Sequence, residues 1–171
     1  MSNALSLKPR IFSPKAQICI VASKFNETFT DALVENAVEE LKSLAPHSRI
    51  KVIRVPGAFE IPGVASTIIE RDRPSCLIAL GLIIRGSTAH ADHIGRSVTD
   101  ALQTLSIQKH LPIIHEVLLV EDDKQAYARC IGSQLNRGRE AARTATAMMD
   151  LYLELERSMP NQSSPTSKRH A

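Results

Sequence analysis

The eight residues 77–84, LIALGLII, constrain this chain more than any other stretch. The run is apolar throughout and rich in Ile and Leu, yet far short of the roughly 20 residues a membrane-spanning helix needs. A run of this length and composition reads as a strand buried on both faces, and such strands belong to parallel sheets covered by helices on either side. Arg85-Gly86 ends the run, Ser87 and Thr88 follow, and a helical pattern takes over within a few residues. A strand that passes into a helix through small and hydroxyl residues presents unpaired backbone N–H groups. The positive end of the helix dipole points the same way, so an anion is well received there. His90 falls in the first turn beside that position, and an imidazole can move protons near neutral pH. Gly86, Ser87 and Thr88 are therefore expected to form a phosphate seat, with His90 as its proton shuttle.

The rest of the chain divides into units that suit such a sheet. Residues 1–16, with two prolines and mixed polarity, read as an N-terminal arm. QICIVAS (17–23) is the first strand, 24–27 a turn, and about 31–44 a helix for which Thr28 or Thr30 can serve as cap. Val34, Ala37, Val38, Leu41 and Leu44 recur at three- and four-residue spacing on its inward face. Residues 50–55 form a second strand. A turn built from Pro-Gly and Ile-Pro spans 56–62, and Pro62 suits the first turn of a short helix to about Arg71. After a loop at 72–75 and the central strand comes a helix over about 92–109, with Ile94, Val98, Ala101, Leu102 and Leu105 on one face. Residues 112–120 read as a fourth strand, 123–129 as a short helix, and 136–157 as a last helix after a break near Gly132. Ala141, Ala142, Ala145, Met148, Met149 and Tyr152 are placed on the inward face of that last helix. The polar segment 158–171, with two prolines, reads as a disordered tail.

This alternation of strand and helix calls for a four-stranded parallel sheet with right-handed crossovers and helices on both faces, one domain over 17–157. Ligands of such sheets bind beyond the carboxyl ends of the strands. The turns at 24–27, 56–60 and 85–90 all fall on that edge.

Composition removes several alternatives. A net charge of +3, from 21 Lys+Arg against 18 Asp+Glu, is too balanced for a nucleic-acid binder, and 4% aromatics leave no base-stacking platform. Cys19, Cys76 and Cys130 are odd in number and far apart, and Cys19 and Cys76 sit within strand-like apolar runs as small hydrophobes. With no disulfide framework, signal peptide or spanning helix, a cytoplasmic protein without a membrane partner is expected. His90, Asp92 and His93 are an alternative metal-ligand set, but no HExxH or cysteine cluster accompanies them, and the acid–base reading is preferred.

Three separated segments carry a resemblance. SKFNE (23–27), VPGAFEIP (55–62) and GLIIRGSTAH (81–90) resemble the signature blocks of lumazine synthase, and the likeness runs from about Gln17 to Leu151. It implies a flavodoxin-like three-layer αβα sandwich and the condensation of 5-amino-6-(ribitylamino)uracil with 3,4-dihydroxy-2-butanone 4-phosphate, with release of phosphate and water. It also implies no metal or redox cofactor, and active sites shared between neighbouring subunits of a pentamer, which in some members builds an icosahedral shell. By resemblance Phe25 stacks on the pyrimidine, while Gly57, Ala58, Phe59 and Glu60 offer backbone groups and one carboxylate to the ribityl hydroxyls. Leu82, Ile83 and Ile84 wall the ring, and His90 is the general acid/base beside the seat at Gly86, Ser87 and Thr88. Arg129 takes the phosphate-binding arginine position from the adjacent subunit, Arg137 stands where a neighbouring-subunit lysine is usual, and His115 faces the neighbour's ring pocket.

The pattern departs from the family's at three places. His115-Glu116 replaces Phe or Asn (sometimes His) followed by glycine, and Glu116 is expected either in or beside the neighbour's pocket or in solvent. LLVED (118–122) replaces an LTT-type segment, and IGSQLNRG (131–138) lacks the glycine-rich kink of many shell formers. The last departure favours a free pentamer or a pair of pentamers over a closed shell. Two rivals to an enzyme are a non-catalytic relative that binds flavin or lumazine in the same pocket and an unrelated flavodoxin-like binder of a phosphate ligand. The second has no reason to carry these blocks at these spacings.

Overall fold

The structure is a computed structural model that describes residues 7–158. Four strands and five helices alternate along the chain: β1 (Gln17–Ser23), α1 (Glu27–Leu44), β2 (Arg49–Val55), α2 (Ile61–Asp72), β3 (Cys76–Ile84), α3 (His90–Lys109), β4 (Ile113–Val120), α4 (Asp123–Cys130) and α5 (Arg137–Ser158). One turn of 3-10 helix, Ala58–Glu60, precedes α2. All strand pairs are parallel, in the order β2-β1-β3-β4, as expected for a flavodoxin-like sheet.

The period-two alternation of the strands sorts their side chains into two cores. Ile18, Ile20, Ala22, Ile78 and Leu80 pack with Leu33, Ala37 and Leu41 of α1 and Ala141, Ala142, Ala145 and Met149 of α5. Cys19, Val21, Leu77 and Ala79 face the opposite way, onto Ile61, Ala65 and Ile68 of α2 and Val98 and Leu102 of α3. The expected three layers are present. β3 is buried from Cys76 to Leu82, as a strand covered on both faces must be. Met148 and Tyr152, placed inward by spacing, are only half-buried; Met148 packs against the first core, and both line a groove on the flank of α5.

Two boundaries differ from expectation. Helix α1 begins at Glu27, about four residues early, and neither Thr28 nor Thr30 caps it. Asn26 occupies the cap position in the left-handed region at φ 59°, and its carbonyl accepts from Phe29 and Thr30 N–H at 3.0 and 3.1 Å. The chain turns into the helix at once, which carries Thr30 into the buried face. Likewise α3 starts at His90, not Asp92.

The ends of the chain are described in part. Residues 7–16 contain no helix or strand, yet Phe12 is buried and its N–H donates to Leu44 O at 2.7 Å. Of the segment read as a tail, Ser158 is the last residue of α5, and 159–171 lie outside the described residues, as do 1–6 of the arm. Among the described residues no helix is long and apolar enough to cross a membrane. Cys19, Cys76 and Cys130 are buried free thiols.

Candidate active site

The site is built by strands of unequal length. The pairing of β1 with β3 ends at Ala22 and Leu80, whereas β3 continues beside β4 as far as Ile84 and Val120. Leu82, Ile83 and Ile84 therefore overhang β1, and on that side their backbone groups have no strand to pair with. Buried backbone polar groups need partners, and one of them finds Asn26, whose Nδ2 donates to Leu82 O at 2.9 Å. The rest of the overhang faces a cavity of about 460 Å³ at the carboxyl edge of the sheet, where β1 lies between β2 and β3. This is the switch-point position at which doubly wound sheets take ligands.

The three turns singled out in the sequence converge there. Phe25 and Asn26 come from the β1 turn, Gly57, Ala58, Phe59 and Glu60 from the β2 turn, and Leu82, Ile83, Ile84, Gly86 and Thr88 from the end of β3. His90, Ala91 and Ile94 of α3 close the lining. Phe25 and Phe59 are 72% and 58% exposed, an unusual state for large apolar rings, and both lie on the cavity wall. Backbone hydrogen bonds from Lys24 to Val55 O (2.8 Å) and from Phe25 to Pro56 O (3.1 Å) stitch the first two turns together. The Glu60 carboxylate accepts the Gly57 N–H at 2.9 Å, which orders the second. At the seat, Thr88 Oγ1 accepts the His90 N–H at 3.4 Å. Ser87, expected at the seat, is exposed between two lining residues and does not line the cavity.

Asn26, Ala91 and Ile94 were not singled out as site residues in the sequence. Asn26 had a signal in the preference of asparagine for left-handed turns; Ala91 and Ile94 had none beyond helical periodicity.

Three expected residues lie away from the cavity. Arg129 is on α4, half-buried, with Nη1 donating to Gln125 O at 3.2 Å. Arg137 begins α5, paired with Glu140 at 2.6 Å. His115 lies on the edge strand β4 and lines a second groove, about 580 Å³, between α3 and α5. This groove is the larger of the two, but none of the three sheet-edge turns opens into it.

His115 is held firmly. Its Nδ1 accepts the Val117 N–H at 3.3 Å, so in the neutral ring the proton sits on Nε2, which donates to Thr99 Oγ1 at 2.8 Å. Thr99 Oγ1 in turn donates to Gly95 O at 2.8 Å. Burial holds His115 below the usual histidine range. Glu116 is neither at the first cavity nor in open solvent: it lines the same groove as His115. Burial pushes its carboxyl up to about 7, against the pull of Arg137 and with the help of Glu140.

A charged triplet borders the seat. Arg85 bridges Asp92 in the first turn of α3 and Glu121 just beyond β4, each at 2.5 Å. Asp92, a member of the alternative metal set with His90 and His93, is thus already engaged. Among the described residues no group of three or more His, Cys, Asp or Glu side chains is arranged to hold a metal ion.

Comparison with known proteins adds a family. A sequence profile of 6,7-dimethyl-8-ribityllumazine synthase matches residues 15–152. The chain is similar to proteins of that name from Polaromonas sp. strain JS666 (40% identical over 142 residues, 82% of this chain and 90% of the relative) and Xylella fastidiosa strain M12 (37% over 141 residues, 82% and 92%). The same holds for the protein of that name from Xanthomonas oryzae pv. oryzae strain PXO99A, 37% identical over 139 residues, 81% and 90%.

Proposed function

The chain belongs to the 6,7-dimethyl-8-ribityllumazine synthase family, and we propose that it catalyses the condensation of 5-amino-6-(ribitylamino)uracil with 3,4-dihydroxy-2-butanone 4-phosphate. One observation carries this reading: a single cavity collects an exposed aromatic ring, overhanging strand backbone, a carboxylate turn, an anion-receptive helix start and a histidine. Each matches one part of the two substrates.

The pyrimidine is flat and apolar on its faces and polar along its edge. Phe25 stacks on a face, which contributes on the order of 1 kcal/mol beyond burial, and the free backbone groups of Ile83 and Ile84 meet the edge. The ribityl chain runs over 57–60, where Gly57 and Ala58 let the main chain approach closely. Glu60 accepts from the polyol hydroxyls, exchanging its present bond to Gly57 N–H. The phosphate settles on Gly86 and Thr88 at the start of α3, with Ser87 exposed between them.

Amine attack on the ketone, loss of water to the imine, phosphate elimination and ring closure all require proton movement. His90, in the first turn of α3, can take a proton from the attacking amine and return one to the departing water or phosphate. Such general catalysis contributes about 10²–10⁴-fold. The imidazolium so formed lies beside the phosphate dianion, where its charge is stabilised. No metal or redox cofactor enters any of these steps.

Arg129, Arg137 and His115 complete the site from a neighbouring copy in a pentamer, or a pair of pentamers. Their position outside this chain's own cavity fits that division. A guanidinium fork matches phosphate bidentately. The buried free thiols suit a reducing cytoplasm.

Mixing the purified protein with both substrates should produce lumazine fluorescence well above the uncatalysed rate. Arg129→Ala should raise KM for the phosphate substrate about tenfold or more, because a charge-assisted bidentate pair is lost, and should leave the pyrimidine KM nearly unchanged. No acceleration would remove the enzyme reading, and tight riboflavin binding without turnover would favour the non-catalytic relative. Equal losses for both substrates would remove the role given to Arg129.

A further inference from the structure

Arg85 stands where β3 gives way to the turn that carries the phosphate seat. Its backbone N–H donates to Val120 O at 2.8 Å, which fixes the residue at the point where β3 and β4 part. Its guanidinium does not line the cavity. It spans two elements instead, Nη2 on Asp92 Oδ1 in the first turn of α3 and Nη1 on Glu121 Oε1 after β4, each at 2.5 Å. One cation thus faces two carboxylates at the entrance to the helix that receives the anion.

We propose that Arg85 is a positioning residue for the phosphate-bearing substrate, masking Asp92 and Glu121 and tying the 86–89 turn to the end of β4. The proposal rests on the reading of the site given above. A carboxylate in the first turn stabilises an empty helix through its dipole, but it opposes an arriving phosphate dianion over distances that physiological salt does not fully screen. The paired guanidinium cancels much of that opposition without occupying the seat. Partly exposed ion pairs such as these contribute little to folding. The effect therefore falls on anion binding and leaves the fold largely untouched.

The test is steady-state kinetics on the assembled protein with Arg85→Met, Arg85→Lys, Asp92→Asn and the double variant Arg85→Met/Asp92→Asn, with competition by inorganic phosphate. Arg85→Met should raise KM for the phosphate substrate roughly five- to tenfold through the unmasked charges, with the pyrimidine KM and the melting temperature nearly unchanged. Arg85→Lys should stay close to wild type, and the double variant should recover most of the loss. Phosphate inhibition should weaken and recover in the same order. A double variant no better than Arg85→Met, or an equal rise in both KM values, overturns the masking role. If wild type turns over and binds phosphate while Arg85→Met matches it, only the Arg85 assignment fails. If wild type does neither, the reading of the site fails and takes the proposal with it.

Discussion

Asn26 combines two properties that mutation can separate: a left-handed backbone at φ 59° and a side-chain bond to Leu82 O. Asn26→Ala loses both. The left-handed conformation costs alanine about 1–2 kcal/mol, and the lost bond adds about 0.5–1.5 kcal/mol. Asn26→Gly restores the backbone freedom but not the bond. Urea unfolding should therefore rank the variants Asn, Gly, Ala. Pyrimidine KM should rise in both variants, because Phe25, one residue earlier, loses its anchor to β3. If the glycine variant binds the pyrimidine as wild type does, the side-chain bond has no part in presenting the ring. Phe25 and Glu60 were singled out by the resemblance and His90 also by its place at the start of a helix, and all three line the cavity. Asn26 was not singled out, because its partner lies 56 residues away and only the fold brings them together. For Ser87 the pattern over-reached: a run of small and hydroxyl residues does not say which of them faces the cavity.

At the scale of elements, periodicity placed all four strands and five helices, because each has a continuous apolar face long enough to repeat. What it missed were ends and close approaches, which depend on contacts made in space. The start of α5 shows why. Asn136 Oδ1 accepts the Arg139 N–H at 3.0 Å and its Nδ2 donates to Gly132 O at 3.2 Å, so an asparagine secures the break. Gly138, two residues on, lies against α1, where an added Cβ would come within 2.5 Å of Leu33 O. A helix interior normally gains about 1 kcal/mol from Gly→Ala. Here a backbone carbonyl cannot yield, and overpacking should make Gly138→Ala destabilising by about 1–3 kcal/mol or more. Gly63 in α2 is the control, since a Cβ there meets nothing within 4 Å. Urea unfolding should give the two substitutions opposite signs. If both stabilise, α5 and α1 are not as closely packed as described.

For the whole molecule, one part of the pH dependence of stability comes from Glu116. Glu116 lies on β4 in the groove between α3 and α5, and the nearby Arg137 is already bound to Glu140 at 2.6 Å. The sequence offered Glu116 a place in or beside a neighbour's pocket or in solvent; within this chain it lines a groove beside an edge strand, which no linear pattern marks. Burial raises the carboxyl from its ordinary 4.5 to about 7. Below pH 4.5 the group is protonated in the folded and the unfolded chain alike and contributes nothing. Between these values the folded chain keeps a proton that the unfolded chain has released, so stability falls as pH rises, and above 7 the loss is complete. Its size is on the order of 3 kcal/mol. Glu116→Gln should therefore be more stable than wild type by about that amount at pH 8 and indistinguishable at pH 4, with the gap opening between 4.5 and 7. His115, which burial also keeps neutral, destabilises both chains equally on the acid side and cancels in the difference. Urea unfolding midpoints across pH, at one fixed protomer concentration so that assembly contributes equally, measure that gap directly. A gap of the same size at pH 4 and pH 8 would mean that the substitution acts through shape, and that the Glu116 charge is not what the fold resists.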